Sequence, residues 1–198
     1  MALLNKLFLI YEINRVVIAL FLLLGYINAS GQPVPSQEYQ VKAIFLYNFT
    51  RFAKWPSKPS PVIIEPSADS TKPFVIGVIG KDPYGIYLDE TVKGEKMNNR
   101  PIVIRRYNKV KEINNCQILF ISKTETSGFK TILTDLKDKN TLTVSDIIGF
   151  SKNGGMIEFV KKENKISLRI NNEAVTKANL QISSKLLGLA EIVKSGKN

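Results

Sequence analysis

Four groups of residues have types and spacings that chemistry can use. Gly77, Gly80 and Gly85 sit at the end of an apolar run, where nucleotide-binding folds place a phosphate-cradling loop. Asp135/Asp138 and Glu158/Glu163 are paired carboxylates, the residues that divide acid and base work. Ser183-Ser184-Lys185 sets hydroxyls beside an amine, and Cys116 is a lone thiol. Each group falls short of its chemistry. The glycines match neither G-x-G-x-x-G nor G-x-x-x-x-G-K-[ST]. They read as a structural turn, with a small anion at the next helix N-terminus as the weaker alternative. The carboxylates have no acid–base partner in sequence, and solvation explains them. Ser183 and Lys185 are two apart and point to different faces of a helix. One cysteine closes no internal disulfide and holds no four-thiolate metal site. It reads as a buried thiol or, in an oxidising compartment, as half of an intermolecular bridge. The chain has no histidine. A Ser-His-Asp triad, a Cys-His pair, a His-ligated zinc and an imidazole base are therefore excluded. No catalytic residue, metal or cofactor is expected, and a binding module is favoured over an enzyme.

The 198 residues carry 28 Lys+Arg against 17 Asp+Glu, a net charge of +11, and are 44% hydrophobic. That composition fits one folded domain and excludes disorder and collagen-like repeats. The cations include Arg105-Arg106, Lys109, Lys111, Lys123, Lys137, Lys139, Lys161, Lys162 and Lys165, scattered along the chain. A solvated surface explains them; a mild attraction to an anionic membrane or an acidic partner is the functional alternative. Trp55 beside Lys54 and Arg51 has the look of a base-stacking site. A Trp that caps a core is the simpler explanation, and no nucleic acid partner is expected. Near the N-terminus, Lys6 and Arg15 precede the uncharged run Val16–Ala29, 14 residues long. A spanning helix needs about 20 apolar residues, and the apolar region of a signal peptide about 7–15. Residues 1–31 are expected to be a cleaved signal peptide, cut after Gly31 or, as runner-up, after Ala29. An uncleaved anchor is the rival reading. Export to the periplasm follows, with no stable membrane insertion after cleavage.

The elements that must position any site follow from periodicity and punctuation. Residues 32–37 are a short lead-in. Val41, Ile44, Phe45, Asn48, Phe49 and Phe52 recur at three and four, which predicts an amphipathic helix over 38–55 that stops at Pro56. The proline-rich residues 57–73 form a loop with one short extended piece, Pro61–Glu65. Strands are expected at Phe74–Ile79, Pro101–Arg106, Gln117–Ser122 and Thr141–Val144, with a helix from Asp82 to Val92, a helical turn within 108–114 and a helix over Ser127–Lys137. Met156–Val160 and Lys165–Ile170 then form an antiparallel hairpin. A long closing helix is expected over Asn172–Val193, and residues 194–198 form a tail. The fold class is α/β: a single three-layer α/β/α domain with a mixed, mostly parallel sheet, ending in the hairpin and the long helix. The glycine-rich stretch Asp146, Gly149-Phe150 and Asn153-Gly154-Gly155 falls at a carboxyl edge of the sheet, a common binding position.

Four blocks carry a likeness to a known family. They are Tyr39–Pro56 (YQVKAIFLYNFTRFAKWP), Phe74–Gly80 with Asp82-Pro83, Cys116–Ser122 (CQILFIS), and Thr141–Ile157 running on to Ile170-Asn171 and Ile182–Ala190. In their order and spacing behind a signal peptide, over residues 38–193, they resemble the YfiR/HmsC-like family of exported bacterial proteins. The resemblance implies a periplasmic, non-catalytic regulator. Its partner would be the periplasmic sensor part of an inner-membrane signalling protein, a diguanylate cyclase or a histidine kinase. With a cyclase, the regulator limits cyclic-di-GMP signalling and biofilm formation. Some relatives form homodimers, and some carry disulfides. Cys116 matches a bridging cysteine whose partner position here is Gly77, and a second bridge would fall near Ser151 and Glu158. No disulfide is therefore expected in this chain. The expected partner-binding residues are Lys42, Tyr47, Arg51 and Trp55 on the first helix, and Asp146, Phe150 and Asn153 in the loop. The alternative is a small-ligand sensor subunit with an apolar pocket between Phe150 and Tyr84.

Overall fold

The computed structural model describes residues 36–56, 72–163 and 165–196. The expected signal peptide, residues 32–35 of the lead-in and residues 57–71 of the proline-rich loop lie outside them. The chain runs α1 (Gln37–Phe52), β1 (Ala53–Lys54), β2 (Phe74–Ile79), α2 (Ile86–Val92), β3 (Lys96–Met97), β4 (Arg100–Tyr107) and β5 (Ile118–Ile121). It continues through α3 (Phe129–Asp135), β6 (Leu142–Ser145), β7 (Ile157–Lys162), β8 (Lys165–Ile170), α4 (Asn172–Lys177), β9 (Gln181–Ile182), α5 (Ser184–Leu187) and β10 (Ala190–Ile192). Short 3-10 turns lie at Val110–Glu112, Lys123–Glu125 and Ser151–Asn153.

Eight strands form one sheet in the order β10-β8-β7-β6-β5-β2-β4-β3. The five strands β4-β2-β5-β6-β7 are parallel. β8 turns back antiparallel on β7, β3 is antiparallel at the far edge, and β10 runs parallel to β8. β2, β5 and β6 are buried along their whole length, as their unbroken apolar or β-branched runs require when both faces of a sheet are covered. One core, with Leu46, Phe49, Leu88, Phe120, Phe159 and Val175, lies beneath α1, α2, α4 and α5. The other, with Ile113, Leu119, Phe129, Ile132 and Phe150, lies beneath α3. The three layers, the mostly parallel sheet and the hairpin agree with the sequence reading. β7 begins level with the end of β6, because Val144 pairs with Ile157 and Ser145 with Glu158. The hairpin therefore stands out beyond the carboxyl edge of the central strands, and Phe45 and Phe49 of α1 pack on its Phe159.

Three expectations are corrected. The long closing helix does not form. Asn172–Val193 is instead two short helices alternating with two short strands. Asn179 takes a left-handed φ of 56°, Gln181–Ile182 pairs with Ala53–Lys54, and the Ser183 side chain caps α5 by accepting from the Leu186 N–H. Of the apolar face proposed for that helix, Ile182 and Leu186 are buried while Leu189 is 74% exposed. The same pairing ends α1 at Phe52, short of Pro56. Finally, α2 starts at Ile86 after Gly85, not at Asp82, which accepts the Tyr84 N–H in a local turn.

The loop 146–155 depends on close packing. A β-carbon on Gly155 would lie 2.2 Å from the ring of Phe150, which is fully buried. Gly155→Ala is expected to destabilise the fold by about 1–3 kcal/mol. The measurement is urea unfolding: the midpoint should fall with the slope unchanged.

Candidate functional site

The parallel strands repeat the order 2-1-3-4-5, which puts the topological switch point between β2 and β5. Ligands of such sheets bind outside the carboxyl ends of the strands there. In this chain the crevice is closed by the protein itself. Gly80 has a φ of 84°, and a β-carbon on it would lie 2.5 Å from Thr124 Oγ1. The Lys81 N–H donates to the same oxygen at 3.0 Å. Side chains occupy the space that a phosphate loop leaves open, so Gly80 serves the turn. Next to this turn Arg106 ties β4 to the start of α2, pairing with Asp82 at 2.7 Å and Asp89 at 2.5 Å.

At the adjoining end of β6 lies a buried polar cluster. Lys42 of α1 is 2% exposed and Asp146 is 4% exposed. Lys42 Nζ donates to Asp146 Oδ2 at 2.6 Å and to Glu38 Oε1 at 2.5 Å. The Tyr39 hydroxyl donates to Asp146 Oδ2 at 2.8 Å. Two exposed lysines reach in from the rim: Lys123 lies 3.6 Å from Asp146, and Lys161 lies 3.6 Å from Glu38. The ammonium of Lys42 also sits over the Tyr39 ring, 4.3 Å from its centroid. Tyr39 stands edge-on to Tyr84, which stands edge-on to Phe120. Burial, together with the Asp146 carboxylate, pushes the Tyr39 phenol far up. Burial alone does most of the same to Tyr84. The hydrogen bond from Lys42 holds the Glu38 carboxyl below its usual range. Lys42 is engaged by two carboxylates and covered by rings, so it offers no free amine. The cluster anchors α1 to the sheet.

That anchor sets the rotation of α1. The buried residues are Lys42, Ala43, Leu46, Phe49 and Thr50. Val41 and Ile44, expected on the core face, are 38% and 46% exposed. The helix is turned by roughly a third of a turn from the face that its apolar residues alone would bury.

A second buried carboxylate organises the loop. Glu158, expected to be a solvated charge, is 2% exposed. It accepts the Gly149 and Ser151 N–H groups at 3.0 Å each and the Ser151 hydroxyl at 2.6 Å, and it faces Arg169 at 3.4 Å. The Asn171 side-chain amide donates to the Ser151 carbonyl at 2.8 Å, while its oxygen caps α4. Sequence spacing does not reveal this role; only the return of β7 beside the loop creates it.

The seven residues expected to bind a partner therefore do not form one surface. Lys42, Asp146 and Phe150 are inside the protein. Trp55 is half-buried: its indole N–H donates to the Gln117 carbonyl at 3.2 Å and its ring packs edge-on against Phe74. Tyr47 and Arg51 lie on the outer side of α1, where Tyr47 donates to Glu95 and Arg51 donates to the Tyr47 hydroxyl at 2.7 Å. That bond to Glu95 raises the Tyr47 phenol. Asn153 is exposed, on a separate loop. Phe150 and Tyr84 belong to the two different cores, on opposite faces of the sheet, so they share no pocket. Asp135, Asp138 and Glu163 are exposed.

The family model described as YfiR/HmsC-like matches residues 39–191. The chain belongs to the YfiR/HmsC-like family. This is a family of periplasmic regulators of cyclic-di-GMP signalling. No curated protein matches the chain in sequence. A solved structure similar in fold is the ABC domain in complex with L-Trp from Streptococcus pneumonia. The two share 10% identity and a TM-score of 0.50, over 76% of this chain and 60% of that one. The chain thus spans three-fifths of that protein's length, and the likeness is one of fold. Among the described residues no helix is long and apolar enough to cross a membrane.

Both pairs of positions at which the YfiR/HmsC-like resemblance places bridges are close together here, and neither is joined by a disulfide. A β-carbon on Gly77 would lie 2.8 Å from Cys116 Sγ and 2.7 Å from the Tyr107 ring. Glycine is needed there because the thiol and the ring already fill the space. Ser151 and Glu158 are joined by their 2.6 Å hydrogen bond. Cys116 is buried, and burial pushes its thiol up to about 12.

Two outcomes are expected. Asp146→Ala leaves Lys42 buried with half its partners and is expected to cost about 3–5 kcal/mol, whereas the double replacement Lys42→Met with Asp146→Leu costs markedly less. Chemical denaturation of the two variants compares them. The raised Cys116 thiol contributes stability that is fully present below its ordinary value of about 9 and is lost as pH rises through about 12. At pH 8 the native thiol should therefore resist a disulfide reagent and react fully only in denaturant.

Proposed function

We propose that this protein is a non-catalytic periplasmic regulator that binds the periplasmic sensor part of an inner-membrane signalling protein of the diguanylate cyclase type. It does so through the outer face of α1. The observation that carries the reading is the exposure of Val41 and Ile44 on a helix whose buried face is held by Lys42. With Arg51, 63% exposed, they form a stripe at helical spacing. A groove of about 930 Å³ runs beside the first turns of α1, between Val41, Phe45 and the hairpin residues Lys161, Lys165 and Ile166. Tyr47 and Arg51 on the same face are of the residue types enriched at protein-binding hot spots. Family membership supports the class of partner. Holding one state of a sensor better than another shifts its output, and a tenfold shift needs only about 1.4 kcal/mol of differential affinity.

The test is crosslinking and capture of the exported protein from its native envelope, read by mass spectrometry. One membrane sensor protein should be recovered with the native chain. Ile44→Asp should reduce its recovery at least about tenfold while leaving thermal unfolding unchanged. Undiminished capture by the Ile44 variant would remove α1 from the interface.

A further inference from the structure

A second surface, on the opposite face of the sheet, has a different chemistry. A groove of about 520 Å³ runs between α3 and the 3-10 turn Ser151–Asn153, with the C-terminal residues Ser195 and Gly196 at one end. Its polar wall is Lys130, Lys137, Lys152, Thr134, Asn153 and Ser195, and it contains no carboxylate. Several other surface lysines are neutralised in place. Lys93, Lys123, Lys161, Lys162 and Lys177 all stand within 4.0 Å of an acidic partner. Among the described residues, Lys130, Lys137 and Lys152 form no ion pair, although the acidic Asp135 and Asp138 are near them in sequence. Three unneutralised cations converge with hydroxyl and amide donors, in a chain of net charge +11. Such a field attracts anions.

The same loop carries a second feature. Ile148 is 93% exposed. It immediately precedes Gly149, whose carbonyl accepts both the backbone N–H and the side-chain amide of the groove residue Asn153, at 3.1 and 2.9 Å. A free isoleucine tied to a cluster of lysines is the pairing that peripheral proteins use at a bilayer, the cations on headgroups and the apolar side chain in the interfacial layer.

We infer that this groove docks the protein on a membrane by binding the phosphate groups of anionic phospholipids, with Ile148 seated among them. This surface is separate from α1, so docking would leave the proposed partner face free. Each lysine near an anionic bilayer is expected to contribute roughly fivefold to binding at low salt, an effect that salt screens.

The experiment is flotation of the mature protein, recovered from the cell envelope, with vesicles of neutral phosphatidylcholine or of the same lipid with 30 mol% phosphatidylglycerol. Binding is expected on the anionic vesicles only, and it should weaken strongly as salt is raised. Lys130→Gln, Lys137→Gln and Lys152→Gln together should reduce it roughly a hundredfold. Lys72→Gln, Lys109→Gln and Lys111→Gln together, the same change of charge elsewhere, should reduce it only slightly. Ile148→Ser should remove most of the binding that survives high salt. All these substitutions are on exposed side chains, and circular dichroism confirms that the variants fold. Equal binding to neutral vesicles, equal loss in the two lysine triples, or no vesicle binding at low salt would each overturn the inference. Calorimetry with glycerol 3-phosphate and inorganic phosphate distinguishes the source. Saturable, groove-dependent binding of these solutes without vesicle binding would make the groove a site for a free phosphate compound, and the membrane inference would fail.

Discussion

The contact between Lys42 and Asp146 organises this molecule. A lysine on the buried face of an amphipathic helix is unfavourable unless its charge is met, and here Asp146 and Glu38 meet it within 2.6 Å. Because Asp146 sits at the end of β6, the helix can satisfy Lys42 only in one rotation. That rotation sends Leu46 and Phe49 into the core and turns Val41 and Ile44 outward. A buried ion pair adds little net stability compared with apolar replacements, but removing one partner is severe. Its effect in this domain is orientation: it decides which residues of α1 the surroundings can reach.

Glu158 performs the corresponding task for the loop after β6. It draws the Gly149 and Ser151 N–H groups inward, and the close approach of Gly155 to Phe150 fixes the return of the chain into β7. The loop is thereby rigid on its inner side. Its outer side is left to Ile148, Lys152 and Asn153. Both carboxylates lie where a catalytic α/β domain would hold its reacting groups. Glu158 is held by structural hydrogen bonds through both oxygens, Asp146 through Oδ2 while its Oδ1 is buried without a partner, and the turn after β2 is closed by Thr124 and Glu125. Most of the polar groups at the carboxyl edge hold α1 and the loop in place.

Those exteriors differ in kind. The outer face of α1 offers apolar side chains with Arg51, beside a hairpin whose Lys161 is already partly neutralised by Glu38. The groove beside α3 offers three lysines that form no ion pair among the described residues. The first is the surface proposed to read a partner, and the second the one inferred to hold the protein at a membrane.

Much of the fold was legible in the chain itself. Unbroken apolar runs such as Phe74–Ile79 and CQILFIS specify buried parallel strands, because only a sheet covered on both faces accommodates them. The polar break between Lys161 and Lys165 specifies the hairpin. The family likeness rests on those same blocks. The absence of histidine and the single cysteine exclude whole classes of chemistry from composition alone. Tertiary structure decided the rest. Ala174, Ala178, Ile182 and Leu186 keep a helical period, yet the backbone of Gln181–Ile182 finds partners in Ala53–Lys54, so pairing between residues more than 120 apart overrides the local pattern. Lys42 reads as a surface charge until Asp146, 104 residues away, is placed beside it. Glu158 reads as solvated until β7 returns along the loop. Local periodicity records which residues prefer burial. Which partner meets a buried charge, and therefore which face of a helix is left outside, depends on residues that only the folded sheet brings together.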